Sequence, residues 1–180
     1  MQQEFETQIL DINPEKIAEK LRLLGAEEEP EVMQKRWVFD IEPCTAKGTG
    51  KWIRLRQMGD KKTTLTFKNR SGRGICDTRE LETEVSDFEK TARILSEAPF
   101  EGRYYQENKR HLFILNDIEF TIDTWPKIPP YLEIEAGSEK KVQEGLKMLG
   151  LEGKDSGHIG SVAIYNKYGF DLHSFKELKF

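Results

Sequence analysis

The chain has 180 residues and a net charge of −4, with 33% of residues charged, 37% hydrophobic and a mean hydropathy of −0.67. That length suits one domain with a core of its own, and ten Phe and three Trp argue against disorder. The acidic balance gives no sign of a nucleic-acid-binding surface, no run approaches the roughly 18 apolar residues of a membrane helix, and neither Cys44 nor Cys76 has the CxxC or CxxH neighbour of a zinc or redox motif.

Residues 3–9 alternate polar and apolar, as a strand does. Asn13 is then placed to cap a helix with Pro14 at its first position. Ile17, Leu21 and Leu24 form its apolar stripe, and Gly25 stops it. Residues 34–40 are aromatic and β-branched, the stretch from Thr45 to Gly50 is expected to be a mobile loop, and 51–57 alternates. Gly59-Asp60-Lys61 reads as a turn into a strand at 63–69. Ser71 to Gly74 is a flexible turn; it lacks the lysine and following helix of a phosphate-binding P-loop.

A strand at 79–85 leads into a helix expected to start at Ser86, with Glu89 at capping-box spacing and Phe88, Ala92 and Leu95 on one face. Strands at 106–115, 117–123 and 131–136 follow, joined by turns at Asn116-Asp117 and Lys127 to Pro130. Ser138 precedes a third helix with Val142, Leu146 and Leu149 aligned and Gly150 at its end. Nothing long enough to be a linker divides this pattern, so one domain spans 1–180. It is α+β: about eight short-looped, hence antiparallel, strands with amphipathic helices packed against them.

Successive side chains on a strand point to opposite faces. Glu4 and Glu6 therefore share a face opposite Phe5 and Ile9, and Arg54 and Arg56 one opposite Ile53 and Leu55. Lys68 lies with Thr64 and Thr66. Glu80, Glu82 and Glu84 oppose Leu81 and Val85; Glu119 and Asp123 oppose Phe120 and Ile122; Glu133 and Glu135 oppose Leu132 and Ile134. The helices cover the apolar faces. The charged faces fit two arrangements. One is an open sheet showing cross-strand ion pairs to water. The other is a closed antiparallel β-barrel of about eight strands, forming a charged tunnel with the helices outside. In a tunnel, idle charges of both signs are costly unless ligands compensate them. Carboxylates at i, i+2 suit Mg²⁺, and Arg and Lys suit phosphate, so metal plus polyphosphate would satisfy both sets.

These segments resemble a known family. Glu4-Phe5-Glu6 looks like the Glu-x-Glu-x-Lys signature of CYTH domains, which belong to the triphosphate tunnel metalloenzymes. Arg54-Leu55-Arg56, Lys68, the Glu80–Glu84 strand, Arg110 followed by Asp123, and Glu133-Ile134-Glu135 match further family strands in order. The resemblance implies a tunnel in which Glu4, Glu6, Glu133, Glu135, Asp123, Glu82 and Glu84 bind Mg²⁺ or Mn²⁺. It also implies that Arg54, Arg56, Lys68 and Arg110, with Gln8, hold a polyphosphate. Glu4, Glu6, Arg54, Arg56, Lys68, Arg110 and Glu135 would carry catalysis.

The implied activity is a metal-dependent triphosphatase acting on tripolyphosphate, thiamine triphosphate or a nucleoside triphosphate. The alternatives are a class IV-type adenylate cyclase and a non-catalytic polyphosphate-binding module. The partner is a small molecule, with no nucleic acid or membrane, and pairing as a homodimer is a family habit. With no apolar signal region at the N-terminus, a cytoplasmic location is expected.

Two departures stand out. The family lysine after the first Glu-x-Glu is Gln8 here, and Asn108 replaces a lysine two residues before Arg110. Both remove positive charge, and Arg36 is a candidate to restore one. Lysine at position 8 is expected to raise tripolyphosphate affinity. His111 is expected to point away from the tunnel, and His158 and His173 have no acid–base partner identifiable in the sequence. Trp125 reads as a turn anchor, Trp37 and Trp52 as core or tunnel-end residues. The segment around Tyr165 and Tyr168 resembles a family tail helix that closes one mouth.

Overall fold

The computed structural model describes the chain except residues 44–48, 60, 61 and 73. Most of the expected loop from Thr45 to Gly50 lies outside the described residues, as do Cys44, the centre of the Gly59-Asp60-Lys61 turn and part of the Ser71–Gly74 turn.

The elements in order are β1 (Gln2–Gln3), β2 (Phe5–Ile9), α1 (Pro14–Leu23), β3 (Glu27–Glu28), β4 (Val32–Glu42), β5 (Thr49–Met58), β6 (Lys62–Ser71), β7 (Thr78–Glu84), α2 (Phe88–Ser96), β8 (Gly102–Leu115), β9 (Ile118–Thr124), β10 (Tyr131–Ala136), α3 (Glu139–Leu149), α4 (Gly160–Lys167), a 3₁₀ turn (Leu172–Ser174) and β11 (Glu177–Leu178). The expected strands are all present, several of them longer than expected. Asn116 and Asp117 take φ of 54° and 59°, the left-handed pair that a tight hairpin between β8 and β9 requires.

The caps explain the helix starts. Asn13 and Ser138 accept from the N–H groups of Lys16 and Lys141, as their positions predict. The second helix corrects its expectation. Its cap is Asp87, not Ser86, with Oδ1 2.8 Å from Lys90 N. Either residue type caps well; the cap at Asp87 makes Phe88 the first helical residue, and Phe88 is buried with Ala92 against Leu55.

The sheet runs β1-β7-β6-β5-β4-β8-β9-β10-β2, with neighbours antiparallel; the short β3 pairs antiparallel with β8, and β11 pairs parallel with it. It curls into a half-barrel. A fully closed barrel, the expectation from sequence, is not what forms, and the seam shows why. Gln2 and Gln3 pair with Glu80 and Arg79 of β7, whereas residues 5–9 pair with β10 on the other side. Beyond the two-residue ladder, β7 and β2 diverge. Glu4 N still reaches Thr78 O, at the start of β7, at 3.1 Å, and irregular chain then fills the gap: Glu6 N donates to Ile75 O at 3.2 Å. Gln8 N donates to Gly157 O at 3.1 Å, and Ser156 N to Gln8 O at 2.9 Å. Backbone groups on the free edge of β2 are thus satisfied without a regular strand partner.

The outer faces carry the core. α1 and α3 cover β2, β9 and β10 through Leu21, Val142 and Leu146, packed on Phe120, Leu132 and Ile134. α2 covers β5, and α4 packs on Trp125, Tyr131 and Leu178. With the apolar faces used outward, the polar faces of the strands turn to the concave side.

Candidate functional site

The concave side encloses a cavity of about 490 Å³. Glu4, Glu6, Gln8, Arg54, Arg56, Lys68, Glu82, Arg110, Asp123, Glu133 and Glu135 all line it. Of the residues singled out from sequence, Glu84 lies elsewhere: it is exposed and paired with Lys62 at 2.7 Å, beyond the end of the charged wall.

The acids divide by their surroundings. Glu6, Glu133 and Glu135 bring carboxylate oxygens within 4.8 Å of one another. The β2–β10 ladder sets this, because Glu6 pairs with Glu135 and Gln8 with Glu133. Burial and the carboxylates of Glu6, Glu133 and Glu4 push Glu135 up to about 8. Burial, with Glu6, also raises Glu133. Glu6 goes the other way: burial opposes its ionisation, but His158, Lys68 and Arg70 outweigh it and hold it far below the carboxylate range. The other acids are held singly. Lys68 bonds Glu4 and lies 3.3 Å from Glu80. Arg110 grips Asp123 with two hydrogen bonds, 2.9 and 2.6 Å, and reaches Glu133 at 3.0 Å. Glu82 accepts from Thr66 at 2.6 Å, with Arg54 at 3.6 Å.

The cations are less well matched. Arg36 and Arg56 form no ion pair among the described residues, and the Nε atoms of Arg36, Arg54 and Arg56 have no hydrogen-bond partner there. Burial, then Arg54 and Arg110, lower Arg36 to about 10. Burial and the neighbouring Arg54, Arg110 and Arg36 depress Arg56 well below an ordinary guanidinium. Burial and like charge outweigh the opposing carboxylates, Asp123 at Arg36 and Glu82 at Arg56. Arg36 donates to Asn108 Oδ1, and Asn108 Nδ2 donates to Asp123 at 2.9 Å. A cation on β4 therefore reaches the place where β8 carries Asn108.

A family model for the CYTH domain matches residues 2–156. The chain belongs to the CYTH family. Comparison with curated proteins finds no match. Among solved structures, this CYTH chain is similar to a conserved hypothetical protein from Pyrococcus furiosus, at 26% identity and TM-score 0.71 over 84% of this chain and 93% of the other. It is similar in fold to a candidate adenylate cyclase from Vibrio parahaemolyticus, at 15% identity and TM-score 0.61, covering 93% and 89%. It also shares the fold of a candidate adenylyl cyclase from Hippeastrum described as having a dominant triphosphatase activity, at 17% identity and TM-score 0.53, covering 94% and 96%.

The family match stops at residue 156, yet the tail of this CYTH chain builds part of the cavity wall with His158, Ser161, Asn166 and His173. His158 is buried, with Nε2 against both Glu6 and Arg70 and Nδ1 3.2 Å from the Thr78 hydroxyl. His173 Nε2 lies 3.6 Å from Asp40 Oδ2. Both histidines thus have acid partners, a correction that sequence could not supply, because the partners lie in distant strands. Arg70 and Asp40 are further cavity residues missed from sequence. Arg70 falls one position past the expected strand end, in phase with Lys68. Asp40 sits among Trp37 and Phe39, which drew the strand towards an apolar reading.

Trp125 is also more than a turn anchor: it is buried in the cavity wall with the Arg36 guanidinium 4.7 Å from its ring centroid. Trp52 lines the cavity too, while Trp37 packs with Phe39 and Tyr105. His111 faces away, 2.9 Å from Glu28. No helix among the described residues is long and apolar enough to cross a membrane.

Proposed function

We propose that the chain is a metal-dependent phosphohydrolase that acts on a triphosphate bound along this cavity. The observation that carries the proposal is the set Arg36, Arg54 and Arg56, whose buried Nε atoms have no hydrogen-bond partner among the described residues, in the same cavity as three clustered carboxylates. Guanidinium forks fit phosphate oxygens bidentately, and a polyanion removes the mutual repulsion of the three. The carboxylates fit a hard divalent cation: their donors are all oxygen, and burial with the neighbouring carboxylates raises Glu135, a repulsion that a cation would relieve. Glu6, Glu133 and Glu135 would hold Mg²⁺ or Mn²⁺, which when bound supplies charge neutralisation at the reacting phosphate.

The remaining residues position these groups. Arg110 orients Asp123 and Glu133, Lys68 orients Glu4 and Glu80, and the arginines bind and align the phosphate chain, which is most of what phosphoryl transfer asks of a protein. One domain over residues 1–180, a cytoplasmic location and homodimer formation belong to the same proposal.

Loss of the family lysines at Gln8 and Asn108 favours a second reading, a module that binds polyphosphate without turnover. The test is release of phosphate from tripolyphosphate, thiamine triphosphate and ATP with Mg²⁺ or Mn²⁺, on wild type, Glu6→Gln and Glu135→Gln. Turnover lost in both variants supports the hydrolase; cyclic AMP from ATP turns the assignment to a cyclase. Thermal stabilisation by triphosphates without turnover identifies the binder.

A further inference from the structure

Arg36, Val38 and Asp40 follow one another on the inner wall of β4. The wall therefore changes from cationic through apolar to acidic within roughly 13 Å. Asp40 belongs neither to the carboxylate cluster nor to any Lys or Arg pair among the described residues. It is 3% exposed, and its Oδ2 has no hydrogen-bond partner. The nearby His173 Nε2, at 3.6 Å, is too far for a hydrogen bond.

The surroundings are built rather than incidental. The 3₁₀ turn that delivers His173 is capped by Asp171, which accepts from His173 N at 3.0 Å. The His173 ring stacks on Tyr104 at 4.9 Å and 23°. Tyr104 in turn lies over Gly102, the cross-strand partner of Asp40, where any Cβ would come within 2.6 Å of the phenol. A buried carboxylate without a donor is costly, and the carboxyl is indeed pushed up by burial, with His173 opposing. An acceptor held in a cavity beside a flat ring pair matches a flat ligand edge that carries N–H groups.

We propose that Asp40, with the Tyr104–His173 pair, recognises the non-phosphate end of the substrate, and that this end is an amino-substituted heterocycle. The inference rests on the triphosphate reading above and narrows it. The arginines take the phosphate chain, Val38 lies beside the linking carbons, and Asp40 accepts from the exocyclic amine. Inorganic tripolyphosphate has no group to offer Asp40 and binds only the cationic part.

The experiment is thermal unfolding titrated with two pairs of probes, ATP against purine riboside triphosphate and CTP against UTP, alongside tripolyphosphate. The first member of each pair carries an exocyclic amine that the second lacks. Wild type is expected to bind at least one amino member roughly tenfold more tightly than its partner, the worth of one charge-assisted hydrogen bond. Asp40→Leu is expected to lose that preference while binding tripolyphosphate as wild type does, which also shows that the variant is folded.

Equal binding within both pairs, with tripolyphosphate still bound, overturns the subsite and leaves the phosphate reading standing. Discrimination retained in Asp40→Leu overturns it as well. Failure of all five probes to bind overturns the phosphate reading and the subsite with it. The wild-type comparison stands even where the variant does not fold.

Discussion

Gln8 Nε2 lies 3.2 Å from Glu133 Oε2 across the β2–β10 ladder and 3.2 Å from Glu6 Oε1, while Gln8 Oε1 accepts from Ile159 N at 2.9 Å. One amide ties two acids of the candidate metal cluster to the N-terminus of α4. Only a side chain with both a donor and an acceptor does this.

Gln8→Lys keeps a donor for the acids but removes the acceptor that Ile159 N and Gly160 N share, leaving Ile159 N with Gly157 O at 3.1 Å. It is expected to cost about 1–3 kcal/mol in denaturant unfolding; an unchanged midpoint would show that the tie to the tail contributes nothing. Tripolyphosphate affinity is a separate readout. It rises in Gln8→Lys where position 8 reaches the phosphates, and flat or weaker binding removes Gln8 from the ligand-facing set.

Glu135 gives the metal-free protein a pH signature. Its folded-state value is raised from 4.5 to about 8, so the folded chain holds a proton that the unfolded chain has released. That contribution to stability is fully present below pH 4.5 and is lost as pH rises through about 8. The depressed Glu6 acts in the opposite sense, losing its contribution only on the acid side. Wild type without divalent metal is therefore expected to lose stability relative to Glu135→Gln across this window. Parallel stability–pH curves for the two proteins would refute it.

Arg56 is expected to cost stability in the ligand-free protein. Arg56→Met removes a half-buried cation from beside Arg36 and Arg54 and fills the space with apolar atoms. Replacing buried charged groups by apolar side chains of similar volume ranges from neutral to stabilising by about 1–4 kcal/mol. The expected pattern is a higher melting temperature without ligand and a much smaller rise when tripolyphosphate is added. A variant less stable than wild type without ligand means that Arg56 has a partner in solution.

Gly145 sits in the middle of α3, where alanine normally gains about 1 kcal/mol of helix propensity. Here a Cβ would come within 2.9 Å of Ile134 Cγ2 and 3.2 Å of Ile118 Cγ2. Overpacking of about 1–3 kcal/mol outweighs the propensity gain, so Gly145→Ala is expected to be less stable than wild type. A gain in stability would show that α3 can lift from the sheet.

Strand parity carried most of the site from sequence, because a period of two leaves each charged side chain one side to occupy. Glu4, Lys68, Arg110 and Glu135 reach one cavity for that reason. Three things were not legible. Strand ends fall by hydrogen bonding rather than composition, which hid Arg70. Asp40 shares its strand with large aromatic residues that dominate the local pattern. His158 lies on irregular chain and His173 in a single 3₁₀ turn, too short for a periodicity to say which way a side chain points; their partners Glu6 and Asp40 are fixed only by the tertiary path. The helix α4 likewise lacks a side-chain cap to announce it.

The hydrogen bonds from Gln8 to Gly157 and from Ser156 back to Gln8 join the first long strand to the last quarter of the chain. During synthesis on the ribosome, the acidic and basic strands emerge long before the segment that seals the edge of β2. Until residues 156–160 are out, Glu6 lacks its imidazole partner and the β2 edge stays open to other chains. The nascent protein thus carries a half-finished, highly charged groove, and residues 156–160, which follow all the long strands, are what turn that groove into a chamber.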